Sequence, residues 1–131
     1  MTTAIVCSAI LGLLLFGLGL AVSLTRGSMR IAYGCKDDPT DRLTKLVRAQ
    51  GNAAEYHAML AVLMLIVGTR GPAAWMEWSM IGATLSRILI TLGIAGGATM
   101  ATPHPLRFVG ALGTYVFGVL LVVAALLVAW P

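Results

Sequence analysis

The chain has 131 residues, 59% of them hydrophobic and only 11% charged, with a net charge of +4 and a mean hydropathy of +0.92. Soluble domains are about half apolar and a quarter charged, so the composition excludes a soluble domain and predicts an all-α integral membrane protein. The positive balance sits mostly in one connection, mixed with Asp37, Asp38 and Asp41, where membrane orientation and anionic headgroups explain it without nucleic acid as a partner.

The first expected span runs over 3–25. It is too apolar and too long for the core of a signal peptide, and no Lys or Arg precedes Arg26, so a retained helix is expected in place of cleavage at Ala21, Val22 and Ser23. Six basic residues then follow before the second apolar run: Arg26, Arg30, Lys36, Arg42, Lys45 and Arg48. The next connection offers only Arg70. Basic loops stay on the cytoplasmic side, so loops 1 and 3 are expected there and both termini outside, with Trp75, Trp78 and Trp130 at the external interface. A bacterial inner membrane is the expected location.

The second apolar run, 56–68, is too short to span a bilayer, which takes about 20 residues. It reaches that length only if the helix covers 42–68 and takes in the polar segment "RAQGNAAEYHAML" (48–60). At about 100° per residue, Arg48, Asn52, Glu55 and Tyr56 share one face within roughly 100° of arc. Glu55 lies roughly 10 Å along the axis from Arg48, near the membrane boundary, where a carboxylate is expected to face the bundle interior with a partner. Arg87 in the third span sits at matching depth, so a Glu55–Arg87 pair, or a network of Asn52, Glu55 and Arg87, is expected. Arg26 and Arg30 are the other candidate partners. Arg48, Gln50 and Tyr56, with Arg26 and Arg30, outline a cationic opening suited to a small carboxylate-bearing ligand, since arginine binds carboxylates in bidentate fashion.

The third span is expected over 72–95 and the fourth over 106–130, four spans forming one domain over 1–131. The segment "GIAGGATMATPHP" (93–105) reads as a flexible connection; it has neither the preceding strand nor the lysine of a phosphate-binding loop. Gly12, Gly17 and Gly19 in the first span and Gly110, Gly113 and Gly118 in the fourth suit close helix packing. Met59 and Met64 read as apolar packing. Cys7 and Cys35 suggest no disulfide in a reducing setting, and Cys35, His57 and His104 lack a metal-ligand spacing, so no metal is expected.

The order Arg48, Ala49, Gln50, X, Asn52, X, X, Glu55, Tyr56 on the second of four spans resembles the MAPEG family, the membrane-associated proteins of eicosanoid and glutathione metabolism. "MRIAYG" (29–34) is similar to the region after the first span in small bacterial members. The resemblance implies a homotrimer of four-helix protomers, with glutathione as cosubstrate held between neighbours on the cytoplasmic side. It assigns Arg48 and Gln50 to a carboxylate, Glu55 to the ammonium group, and Asn52 and Tyr56 to hydrogen bonds. Arg26 adds a second cationic contact, Arg30 matches a nearby basic position, and Arg87 belongs to the helix-packing network.

Catalytic members of that family carry two tyrosines on the third span and a thiolate-stabilising arginine near the start of the fourth. Here those positions read Ile90, Ile94 and Thr102, and aligning Arg107 with the arginine takes a shift of about one helical turn. A thiol with a pKa of about 8.5 is only slightly ionised at neutral pH. Two readings therefore stay open: a glutathione transferase or peroxidase acting on lipophilic electrophiles from the bilayer, and a noncatalytic trimeric binding or scaffold protein. A transporter lacks support, because no internal repeat is present.

Overall fold

A computed structural model describes residues 1–130; Pro131, the last residue of the expected single domain, lies outside the described residues. The described residues form four helices: α1 (Thr2–Met29), α2 (Arg42–Gly68), α3 (Ala74–Ala95) and α4 (Pro105–Ala129). Each is long and apolar enough to cross a membrane, and the chain is an integral membrane protein.

The helix ends follow from local chemistry. Asp41 caps α2 by accepting a hydrogen bond from the Thr44 amide at 3.0 Å, a standard way to satisfy a free N–H in the first turn. This cap starts the helix at Arg42 and carries the polar segment into it. α1 continues past Thr25 to Met29 and closes on Arg30, which adopts a left-handed conformation (φ 55°); Arg26 thus lies in its last turn. Gly71, with φ 66°, and Pro72 form the turn before α3, so that helix begins at Ala74 rather than Pro72. His104 caps α4 through its ring Nδ1, which accepts from the Leu106 amide at 3.3 Å, and Pro105 occupies the first turn.

α1 packs along α2 and α3 along α4, and α2 and α3 join the two pairs. One apolar cluster, centred on Leu11, Met64, Met80 and Leu121, fills the bundle toward the chain's N-terminus. A second, with Leu18, Ala53, Ile90 and Ile94, fills the opposite end. Between them His57 on α2 and Arg87 on α3 form a polar layer, exposed to only 2% and 1%.

Glycine brings α3 and α4 together. A Cβ at Gly110 would come within 2.6 Å of the Ile90 nitrogen and 2.8 Å of the Ser86 carbonyl oxygen, and one at Gly113 would collide with the Ser86 side chain. The expected role of glycine in close packing holds for these two. It does not hold within the bundle for Gly12, Gly17 and Gly19, which face open space.

At the basic end of the bundle the two connections are joined, so 93–105 is not a free linker. The Met100 amide donates to the Pro39 carbonyl at 3.0 Å, Lys45 Nζ donates to the Gly97 carbonyl at 2.9 Å, and Thr44 Oγ1 donates to the Lys36 carbonyl at 2.7 Å. Arg107 donates to the Met100 carbonyl at 3.1 Å and to the Thr102 carbonyl.

Candidate functional site

The polar residues of α2 divide between two sides of the helix. Gln50 and Ala54, one turn apart, turn toward α1; Asn52 and Tyr56 lie roughly 120–160° around the axis from Gln50 and turn toward α3 and α4. On the first side a groove of 640 Å³ runs between α1 and α2, lined by Arg26 and Gln50 above an apolar floor that includes Leu15, Phe16 and Leu20. Arg26 donates to the Ala32 carbonyl at 3.4 Å, which anchors the connection after α1. Its buried Nε has no partner among the described residues. Arg30 borders an adjoining groove of 550 Å³ with Ser23, Arg26 and Gly27. The extension of α1 to Met29 places both arginines on this wall.

On the other side Arg87 is the centre. One guanidinium nitrogen donates to the Asn52 side-chain oxygen at 2.6 Å and to the Asn52 backbone carbonyl at 2.9 Å. The guanidinium also lies 4.8 Å from the centroid of the Tyr56 ring, a cation–π contact. The Tyr56 hydroxyl in turn meets the Tyr115 hydroxyl at 3.2 Å, with the rings edge to face at 71° and 6.2 Å between centroids. Asn52, Tyr56, Arg87 and Tyr115 thus link α2, α3 and α4.

This arrangement corrects the expected network. Asn52 and Arg87 are joined, but no hydrogen bond or ion pair links Glu55 to Arg87 among the described residues, and Glu55 is exposed. The cause is angular. Glu55 lies roughly 60° around α2 from Asn52, on the outer side, whereas the two Asn52 oxygens lie directly against α3. Arg48 is exposed as well. The face that holds Arg48, Asn52, Glu55 and Tyr56 therefore straddles the edge of the bundle, with Asn52 and Tyr56 turned inward and the two charges outward.

Glu55 and Tyr56 stand at one end of an apolar groove of 280 Å³ between α2 and α4, which continues past Met59, Leu63, Gly118 and Val122. Tyr115, whose hydroxyl completes this polar end, has no motif around it: it sits on an apolar helix and is 59% exposed. Being the only tyrosine in the fourth span is the one signal the sequence held for it.

Two further polar residues have local duties. His57 Nδ1 lies 2.9 Å from the Leu11 carbonyl; a carbonyl only accepts, so Nδ1 carries a proton. Arg107 spends its donors on the loop carbonyls of Met100 and Thr102. Ile90 and Ile94 are buried in the apolar cluster and bring no hydroxyl to the Arg87 region. Cys7 is buried and Cys35 exposed, both free, and no group of three or more His, Cys, Asp and Glu able to hold a metal occurs among the described residues.

Taken together, one side of α2 presents guanidinium and amide groups, and the other presents a guanidinium, a carboxylate, an amide and hydroxyls. These groups complement a small molecule bearing both carboxylates and an ammonium. Within the chain the two sets face apart and do not converge. No curated protein and no solved structure matches the chain. A family model does, over residues 4–127, and its description is the MAPEG family.

Proposed function

The chain belongs to the MAPEG family, whose members include glutathione transferases and peroxidases, and on that premise we propose that it binds glutathione at the boundary between neighbouring copies of a homotrimer. The observation that carries this reading is the division of α2 into two polar sides. Arg26 and Gln50 lie on one, Arg48, Asn52, Glu55 and Tyr56 on the other. A heterologous contact in a closed ring sets one side of a protomer against the other side of the next. The exposed Arg48 and Glu55 then gain a partner surface, and the cationic groove of the neighbour supplies Arg26, Gln50 and Arg30.

In that site Arg48 and Gln50 hold a carboxylate and Glu55 the ammonium, while Asn52 and Tyr56 donate or accept hydrogen bonds. The basic connections face the cytoplasm of a bacterial cell, where the thiol peptide enters, and a lipophilic electrophile reaches the site from the bilayer. Transfer or peroxidase chemistry requires the thiolate.

A second reading has its own support. Ile90, Ile94 and Thr102 occupy the positions at which catalytic members carry hydroxyls and the activating arginine, and Arg107 is tied to loop carbonyls. These features favour a trimeric binding or scaffold protein without catalysis.

Calorimetric titration of glutathione into the purified protein tests binding, with Arg48→Ala and Glu55→Ala as controls. Saturable heat that both substitutions abolish, in variants that stay folded, supports the site; absence of heat with the unaltered protein defeats it. Mass measurement of the detergent-solubilised complex tests the assembly, and a monomer or dimer removes the boundary on which the site depends.

A further inference from the structure

A small cavity of 20 Å³ lies where α2, α3 and α4 meet, with Asn52, Tyr56, Arg87, Ala111, Thr114 and Tyr115 in its wall. We propose that it binds one ordered water molecule, which accepts a hydrogen bond from Arg87 Nε and joins that buried charge to the Tyr56–Tyr115 hydroxyl pair.

Three observations lead to this. Arg87 is 1% exposed, and its Nε is buried with no partner among the described residues although its neighbouring nitrogen is well bound to Asn52. Buried polar groups are almost always hydrogen-bonded, and an exception beside a cavity commonly marks a water. The size agrees: a water needs about 10–15 Å³ of such space and two to four polar partners, so the cavity holds one and no more.

The wall supplies those partners. When one tyrosine hydroxyl donates to the other, the accepting hydroxyl keeps its own hydrogen free. The water accepts from that hydrogen and from Nε–H. It donates to acceptors that retain lone pairs, namely the Asn52 side-chain oxygen and Thr114 Oγ1, whose own hydrogen goes to the Gly110 carbonyl at 2.7 Å. A halide is excluded by the same inventory. It offers no hydrogen to those two acceptors, which would then face an anion with their lone pairs.

The water gives the tyrosine pair a second attachment. The hydroxyls at the polar end of the α2–α4 groove are then fixed by each other and, through one solvent molecule, by α3.

The test uses the whole chain crystallised in bromide. The expected map has a single peak within hydrogen-bond distance of Arg87 Nε and no anomalous signal there. An empty cavity, or an anomalous bromide peak, overturns the assignment. Two variants give a readout that needs no crystal: Ala111→Val fills the space and expels the water, whereas Ala111→Ser brings a hydroxyl to replace it. Thermal unfolding in detergent is expected to show a lower midpoint for Ala111→Val than for Ala111→Ser, and equal midpoints would count against the water.

Discussion

Arg87 reaches from α3 to α2 and binds both oxygens of Asn52, at 2.6 Å to the side chain and 2.9 Å to the backbone carbonyl. A buried cation at this depth in a membrane protein is normally held by a carboxylate, by backbone carbonyls or in a watery cavity. Here an amide, a backbone carbonyl and the face of Tyr56 take that role. Glu55 is consequently not required to hold Arg87 and stays available for another partner.

Replacing Arg87 by leucine removes the guanidinium donor from both partly buried Asn52 oxygens, which costs about 1–3 kcal/mol. Arg87→Lys keeps the charge but not the planar fork, and its stability is expected to fall between the two. Chemical or thermal unfolding in detergent measures the order. A leucine variant as stable as the parent would remove Arg87 from any packing role.

Tyr115→Phe removes the hydroxyl contact with Tyr56 and keeps the edge-to-face packing. Its expected cost is at most about 0.5–1.5 kcal/mol, the net worth of one hydrogen bond. Tyr115→Ala loses the ring contact too, worth about 0.5–1.5 kcal/mol more. Thermal midpoints in the order parent, phenylalanine, alanine support the pair. If alanine matches phenylalanine, the ring contact adds nothing.

Gly110→Ala forces a methyl against the α3 backbone at Ile90 and Ser86, and overpacking of this kind costs about 1–3 kcal/mol. Gly12 faces open space, so Gly12→Ala escapes that clash and gains up to about 1 kcal/mol of helix propensity. Parallel unfolding curves read the contrast. A neutral Gly110→Ala would mean that α3 and α4 are not in such close approach.

The pH dependence of the first connection rests on Asp38. Its carboxylate accepts from the Thr40 hydroxyl at 2.7 Å and the Thr40 amide at 2.8 Å, and these bonds, the hydroxyl first, hold its pKa below the ordinary 3.8. A lowered carboxyl pKa stabilises the turn at pH above the unfolded value, and that contribution disappears as pH falls through the folded one. The Thr40 amide resonance is therefore expected to stay constant above about pH 5 and to shift only in stronger acid. A midpoint above 3.8 would contradict the bonding. Asp38→Asn should flatten the titration.

The spans were readable because the apolar runs leave few choices: α2 had to start near Arg42 to be long enough, and Asp41 caps it there. Helical periodicity also grouped Asn52 with Tyr56 correctly and matched Arg87 to their depth. Periodicity assigns residues to a side of a helix but not the neighbour that side meets, which is why Glu55 was expected inside and lies outside. Likewise, nothing local distinguishes Gly110, which meets a backbone, from Gly12, which meets nothing. Tyr115 pairs with Tyr56 across 59 positions of sequence, a tertiary coincidence with no local trace.

The two-sided character of α2 has a genetic consequence. If its sides join only across a boundary between copies, every site draws residues from two chains, and chains damaged on different sides can rescue one another. Cells that co-express Arg26→Ala and Glu55→Ala chains would then contain some boundaries built from two undamaged sides and, under the proposed function, regain part of the glutathione binding that either chain alone would lack. Chains that both carry Glu55→Ala have no such recourse, and a dominant defect on one side would extend to whichever neighbour it touches.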